Sequence, residues 1–194
     1  MAGLTRSVAP LDTPVFVDEV KTGLRIDSDD EDTFLESLIS AATDDAENLL
    51  HRAILPQTWI LLLDAFPASW LRLPYPIART ATVAYQATAG VWTTLTAGAV
   101  ALIAGPPSYV IPAYGTTWPS AIDFPDSVRV TYSTYSWADS DSVPAGIKQW
   151  IIARVGELYE QREASGPLEV REHRFIRGLL APHVLPDYGQ RYGQ

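Results

Sequence analysis

The residues best suited to chemistry in this sequence are carboxylates, and the densest group of them is Asp27–Asp32. The block lies in the segment Leu24–Arg52, LRIDSDDEDTFLESLISAATDDAENLLHR. A short apolar stretch precedes the block, and a long amphipathic stretch follows it. Alternating carboxylates suggest a calcium loop, but the EF-hand pattern needs glycine at its sixth position and glutamate at its twelfth. Counted from Asp27, those positions hold Asp32 and Leu38. We therefore interpret the block as helix capping on a solvated acidic face.

The remaining candidates for catalysis also lack partners at a useful spacing. Asp44, Asp45 and Glu47 are predicted to share the exposed polar side of one helix, whereas glycoside hydrolysis needs two carboxylates that face each other across a cleft. No G-x-S-x-G elbow and no G-x-x-x-x-G-K phosphate loop occurs. None of the three histidines stands at a metal-ligand spacing from another: His51, His173 and His183.

Cysteine usage removes further classes of chemistry. The 194 residues contain no cysteine, which excludes disulfides, thiolate catalysis and cysteine-bound zinc. We therefore expect a protein that is not an enzyme and that uses no cofactor and no metal ion.

The net charge of −9 is unevenly distributed, because residues 1–52 carry 12 acidic and 4 basic side chains. Such a chain does not hold DNA over a broad surface, since that binding depends on many Lys and Arg contacts to phosphates. Acidic walls would still let DNA pass without sticking, and the simpler interpretation of the charge is solubility. The longest apolar run, Trp59–Leu63, is far below the roughly 20 residues that span a bilayer. The first residues lack the apolar block of a signal peptide, so we expect synthesis in the cytoplasm.

Three helices are predicted to form the scaffold. Val15–Leu24 has the spacing of a short helix. The second helix is expected to begin at Ser28 and Glu31, which fit the S-x-x-E capping box, and to end before Pro56. Its apolar face is predicted from residues that repeat every three or four positions: Phe34, Leu38, Ala41, Ala42, Ala46, Leu49 and Leu50.

The third helix is predicted to run from Pro144, a residue tolerated in the first turn, to about Glu163. Ile147, Ile151, Val155 and Leu158 keep helical spacing along it. Each of the two long helices has one apolar face, so we expect them to pack on each other.

Short stretches rich in β-branched and aromatic residues fill Gln57–Tyr135, which we predict to be an antiparallel β-sandwich or small barrel. Ala97–Gly105 is compatible with either a strand or a loop. The predicted strands are Trp59–Leu63, Trp70–Leu73, Thr80–Gln86, Trp92–Leu95, Tyr109–Ile111 and Ser127–Ser133.

The expected fold is therefore α+β: a bundle of two long helices plus short helices, with a β insertion and an extended C-terminal tail. Residues 1–14 are expected to be an extended arm. We predict a helical core from residues 1–56 and 144–166, a β insertion over 57–143, and a partner-binding tail over 167–194.

The tail has its own apolar and basic pattern over Val170–Leu180, after the stop at Ser165–Pro167. Thirty residues beyond a helix stop are too many for simple fraying, so the segment either packs against its own domain or lies on a partner. The candidate partner-binding residues are Arg171, Arg174, Phe175, Ile176, Arg177, Leu179 and Leu180.

Taken in order, several stretches of the chain resemble the head–tail adaptor (connector) proteins of tailed bacteriophages and gene transfer agents. A junction of the type T-G-R-A-hydrophobic-x-x-Q-T-W is present as Leu50–Trp59, with Leu50-His51 in place of the usual Thr-Gly. The resemblance covers most of residues 15–182. Its pieces are VDEVKTGLRIDSDDEDTFLESLISAATDDAENLLHRAILPQTWILLLDAFP, WLRLPYPIARTATVAYQ, SVRVTYSTYS, VPAGIKQWIIARVGELYEQREA and LLAPH.

The resemblance implies a structural protein of the virion or particle neck. Such adaptors form a ring, dodecameric in the family, beneath the portal protein, where they extend the DNA channel without binding DNA specifically. They dock a tail-side stopper or tail terminator protein, and their C-terminal segment engages the portal. No membrane is involved.

A second hypothesis from a different class remains open at this stage. Most of the six tryptophans fall in the predicted β region, and a cluster of exposed tryptophans there would indicate a carbohydrate- or protein-binding β module of a phage tail or baseplate. The simpler interpretation of these aromatic residues is core and edge packing.

Overall fold

The computed structural model describes residues 3–161 and 178–186, which form a mixed α+β structure. They divide into two compact units. The helical unit comprises residues 11–55, 137–161 and 178–186, and the sheet unit comprises residues 3–10 and 56–136.

The main helices of the helical unit are α1 (Val17–Leu24), α2 (Asp32–Leu50) and α3 (Ala145–Gln161). At the start of α1 the Phe16 N–H donates to Glu19 Oε2 at 2.8 Å, which satisfies a backbone donor that has no partner inside the helix. At the start of α3 the carbonyl of Pro144 accepts from the N–H groups of Ile147 and Lys148. The predicted end of this helix, Glu163, lies outside the described residues.

The capping box predicted for α2 is wrong. The residue preceding the helix is Glu31, and the Ser28 hydroxyl donates to Asp30 Oδ2 at 2.8 Å instead of capping the helix. The acids of this block instead bind Lys21 of α1, whose ammonium contacts both Asp29 and Asp32. Hydrogen bonding to Lys21 lowers the pKa of Asp29, so the block ties α1 to the start of α2.

The apolar face predicted for α2 is correct only in part. Ala42, Ala46 and Leu50 are buried as expected, whereas Leu49 is 39% exposed and Ala41 is exposed. Leu35 and Ile39 complete the buried face in place of Phe34 and Leu38, which are half-buried. The observed buried face is rotated around the helix relative to the predicted one. Its members follow an unbroken i, i+4, i+7, i+11, i+15 series: Leu35, Ile39, Ala42, Ala46 and Leu50.

This face of α2 shares one core with α1 and α3. Its fully buried members include Val20 from α1 and Ile147, Ile151 and Val155 from α3. Gly156 allows α3 to lie close to the end of α1, because a Cβ at this position would lie 2.9 Å from Leu24 Cδ2. At the polar margin Arg154 of α3 donates to Asp45 of α2 at 3.0 Å.

The sheet unit contains eight strands in two antiparallel sheets, with the orders β1-β2-β8-β4-β5 and β3-β7-β6. Both sheets are open, so the barrel alternative does not describe them. The strands are β1 (Gly3–Val8), β2 (Gln57–Leu63), β3 (Leu71–Arg72), β4 (Ala78–Thr88), β5 (Val91–Thr94), β6 (Val100–Ile103), β7 (Tyr109–Pro112) and β8 (Val128–Thr134).

All six predicted strands are present, and the ambiguous stretch Ala97–Gly105 contains β6. The N-terminal residues, expected to be an extended arm, contain β1, which pairs with β2 from Gly3↔Leu62 to Val8↔Thr58. Residues 3–10 therefore lie with the sheet unit and not with the helical core. A strand pairing across about 50 residues leaves no local pattern in the sequence.

The two sheets enclose a second apolar core. In β8 burial alternates, so that Val128, Val130 and Tyr132 point into this core while Arg129 and Thr131 point away from it. Leu71 and Val110 of the smaller sheet pack on the same core. Because of this alternation, the side of the five-stranded sheet that carries Arg129 and Thr131 faces away from the core.

Leu49→Ala and Leu50→Ala form a matched pair that tests the rotated face of α2. We expect Leu50→Ala to lower the free energy of unfolding by about 2–5 kcal/mol, because it leaves a cavity in the helical core. Leu49→Ala should change it by no more than about 0.5 kcal/mol. Urea unfolding followed by circular dichroism measures both. Equal losses at the two positions would contradict the observed orientation.

Candidate partner-binding surface

The C-terminal segment, residues 178–186, lies on the helical unit. Residues 178–180 are helical, and a 3-10 turn, Ala181–His183, follows. Leu180 is only 1% exposed and belongs to the helical core, and Leu179 packs against the same core. Burial of a leucine contributes about 1.5–3 kcal/mol, so this segment is firmly anchored.

Two further contacts hold the segment after Leu180. The Leu185 N–H donates to the carbonyl of Leu50 at 3.1 Å, which satisfies one of the free carbonyls at the end of α2. The His183 ring meets the Trp137 ring edge to face, with centroids 6.1 Å apart. Residues 178–186 therefore cover the C-terminal end of α2, and we call them the anchor segment.

The guanidinium of Arg52 also lies over the Trp137 ring, with its Cζ atom 5.3 Å from the ring centre. Burial lowers the pKa of Arg52 from its usual value. A cation stacked on an indole face is favoured by the ring quadrupole. Arg52 and His183 thus both pack on one tryptophan.

Gly146, in the first turn of α3, makes room for the anchor segment. A Cβ at this position would lie 3.1 Å from the carbonyl oxygen of Leu179, a backbone atom. Since a backbone carbonyl cannot rotate away as a side chain can, a larger residue here would displace the segment.

The structure separates the predicted partner-binding residues into two groups. Leu179 and Leu180 pack on the helical core of their own chain. The other five lie outside the described residues: Arg171, Arg174, Phe175, Ile176 and Arg177. For the two leucines, the alternative of packing against the chain's own domain is therefore the one observed.

One acidic residue that the sequence placed on the surface is buried. Glu47 is 3% exposed, and its Oε1 accepts a hydrogen bond from the Ile54 N–H at 2.7 Å. The expectation of a surface charge is wrong here, because the chain folds back over the last turn of α2 and supplies a backbone donor. Nothing in the local sequence distinguishes Glu47 from its exposed neighbours.

Within residues 3–161 and 178–186 no group of three or more His, Cys, Asp or Glu side chains is arranged to hold a metal ion. No helix in this part of the chain is long and apolar enough to cross a membrane.

Two tryptophans of the sheet unit are prominent at its surface. Trp70 is 53% and Trp92 36% exposed. Trp59 and Trp118 are half-buried and stack on Tyr75 and Phe66, with ring centroids 4.5 and 4.8 Å apart. Trp59 and Trp118 therefore serve packing, and Trp70 and Trp92 are the more exposed tryptophans of the sheet unit.

Comparison with known proteins identifies the class to which this architecture is similar. Residues 15–73, which include α1, α2, β2 and β3, match the model of the family described as phage gp6-like head-tail connector protein. No curated protein matches the chain in sequence.

The fold is shared with solved chains of gene transfer agent particles. A chain of the neck of an empty particle computed with C6 symmetry has a TM-score of 0.75 at 22% identity, covering 97% of this chain and 99% of that one. A chain of the native neck computed with C12 symmetry has a TM-score of 0.74 at 21% identity, covering 98% and 99%. A chain of the native virion has a TM-score of 0.72 at 22% identity, covering 93% and 94%.

Leu180→Asp tests the anchor segment, with Val184→Asp as its control. Leu180→Asp places an unpaired carboxylate in the helical core and should lower the free energy of unfolding by about 3–5 kcal/mol. Val184 is 42% exposed, so the same substitution there should cost less than about 1 kcal/mol. Chemical denaturation compares the variants. A stable Leu180→Asp protein would show that the segment is not part of the core.

Proposed function

We propose that this protein is a head–tail adaptor of a phage-like particle. It forms a ring beneath the portal protein at the particle neck, extends the DNA channel and docks the next tail-side component, a stopper or tail terminator protein. The observation that carries the proposal is the agreement of two independent comparisons. The connector family matches the segment around α1 and α2, and neck chains share the fold over almost their whole length.

A ring of copies is supported by the symmetry of the similar necks, which were computed with C6 and C12 symmetry. A closed ring uses head-to-tail contacts, in which two different surfaces of one subunit complement each other. Two units of different architecture provide such distinct surfaces within a single chain. We take twelve copies as the working number.

Portal binding is assigned to the chain that flanks the anchor segment. Leu179 and Leu180 are occupied in the core, so their role is to fix the segment to the helical unit. Arg171, Arg174 and Arg177 precede the anchor in sequence, and with Phe175 and Ile176 they combine cationic and apolar groups. Such a sequence suits a partner surface that offers both carboxylates and an apolar groove.

DNA is proposed to pass through the ring without specific binding. The described helical unit carries 16 acidic and 5 basic residues, so phosphates are repelled from it. Because DNA affinity depends on phosphate contacts from Lys and Arg, a channel wall of this kind would let DNA slide. No catalytic step is needed for this role.

Replacing Arg171, Arg174 and Arg177 together by glutamate tests the portal assignment. The variant keeps the anchor segment, so we expect a folded protein whose incorporation into particles falls at least about tenfold, because cationic contacts to the portal are reversed. Incorporation is measured by complementing a particle-producing strain that lacks this gene and quantifying the protein in purified particles.

The control for that experiment is the triple lysine variant, which keeps the charges and should be incorporated nearly as well as the original chain. Normal incorporation of the glutamate variant would overturn the portal assignment alone. Cryo-electron microscopy of particles with the original chain tests the function itself, and density for this protein anywhere except the neck would overturn it.

A further inference from the structure

One face of the five-stranded sheet points away from the apolar core of the sheet unit. Core and outward positions alternate in β8, and the register carries this alternation to its neighbours: Arg129 lies beside Leu62 of β2 and Ala84 of β4, and Thr131 lies beside Ile60 and Thr82. We call the outward side of this sheet the outer face. Its central residues are Ile60, Leu62, Thr82, Trp92, Arg129 and Thr131.

The apolar side chains of the outer face are not packed into the interior of either unit. Ile60, Leu62 and Trp92 belong to neither apolar core and are not among the side chains packed against one. Trp92 is 36% exposed. A flat surface that combines aliphatic residues, threonines and a tryptophan has the composition of an interface centre.

Arg129 is the one cation among these central residues of the outer face. The Arg129 guanidinium lies over the indole of Trp92, 4.4 Å from the ring centre. The strands of this sheet contain no acidic residue, and no carboxylate in the described chain forms a salt bridge with Arg129. An arginine stacked on an aromatic ring is held in position to bind a carboxylate of a partner. Such arginines often contribute a large part of the binding energy of an interface.

The surface with complementary charge lies on the other unit. Against the 16 acids and 5 bases of the helical unit, the described sheet unit carries 3 acids and 4 bases. Asp18, Asp27 and Glu36 are exposed on the helical unit. Helical units of two copies therefore repel each other, whereas the helical unit of one copy is attracted to the outer face of another.

We propose that the outer face of the five-stranded sheet binds the acidic helical unit of a second copy of this chain, with Arg129 and Trp92 at the centre of the contact. The contact joins two different surfaces, so its repetition generates a ring when the rotation between neighbouring copies closes, and not a two-fold dimer. The inference rests on the ring proposed above and names the surfaces that build it.

Arg129→Glu and Arg79→Glu form the matched pair for the test. Both change the charge of the sheet unit equally, and both remove an arginine stacked on an aromatic ring, since Arg79 lies over Tyr135 at 4.6 Å. Arg79 stands near the start of β4, five residues before Ala84, which pairs with Arg129. In the complementation assay Arg129→Glu should lower the number of copies per neck at least about tenfold, with little change for Arg79→Glu.

A second measurement does not depend on how Arg129→Glu folds. The chain has no cysteine, so Thr131→Cys provides one attachment point for a photoreactive cross-linker on the outer face. In particles assembled from a mixture of isotopically labelled and unlabelled chains, we expect cross-links to peptides from residues 11–55 or 137–161 of a different copy.

Three outcomes would overturn the inference: equal incorporation of the two glutamate variants, cross-links between the outer faces of two copies, or cross-links to another particle protein only. In each case a neck ring of the original chain would leave the proposed function intact. A complete absence of the original chain from necks would instead count against the proposed function.

Discussion

Burial of one apolar stripe of α2 is the interaction on which the helical unit depends. Leu35, Ile39, Ala42, Ala46 and Leu50 are all essentially inaccessible, and they receive side chains from α1, α3 and the anchor segment. Since α3 begins about 95 residues after α2 ends, this contact joins two segments that are separated in sequence by most of the sheet unit. Loss of the stripe would release all three of its partners together.

The same core anchors the C-terminal segment, and the partner-binding role that we propose belongs to the residues that precede this anchor. A hydrophobic segment after a helix stop can bind a partner or complete its own domain, and here Leu180 completes the domain while the arginines precede it in sequence. Gly146 and the free carbonyl of Leu50 are the local features that accept the segment. A partner-binding stretch next to such an anchor loses less conformational entropy on binding than a free tail would.

Charge separation between the two units gives the chain its polarity. The helical unit concentrates the acids and orders part of them through Lys21, Lys148 and Arg154. The five-stranded sheet carries only arginines as charged side chains. A subunit with one acidic and one neutral-to-basic unit favours contacts between unlike surfaces, which is the arrangement that a ring requires.

Local pattern in the sequence determined the existence of three helices and six of the eight strands, because side-chain periodicity and turn residues act over a few positions. It also carried the resemblance to head–tail adaptors. The orientation of α2, the burial of Glu47, the pairing of β1 with β2 and the packing of Leu180 were decided only by the tertiary structure. Each depends on a contact with a partner that local periodicity does not reveal: Glu47 and Ile54 meet where the chain turns back, and the others join segments tens of residues apart.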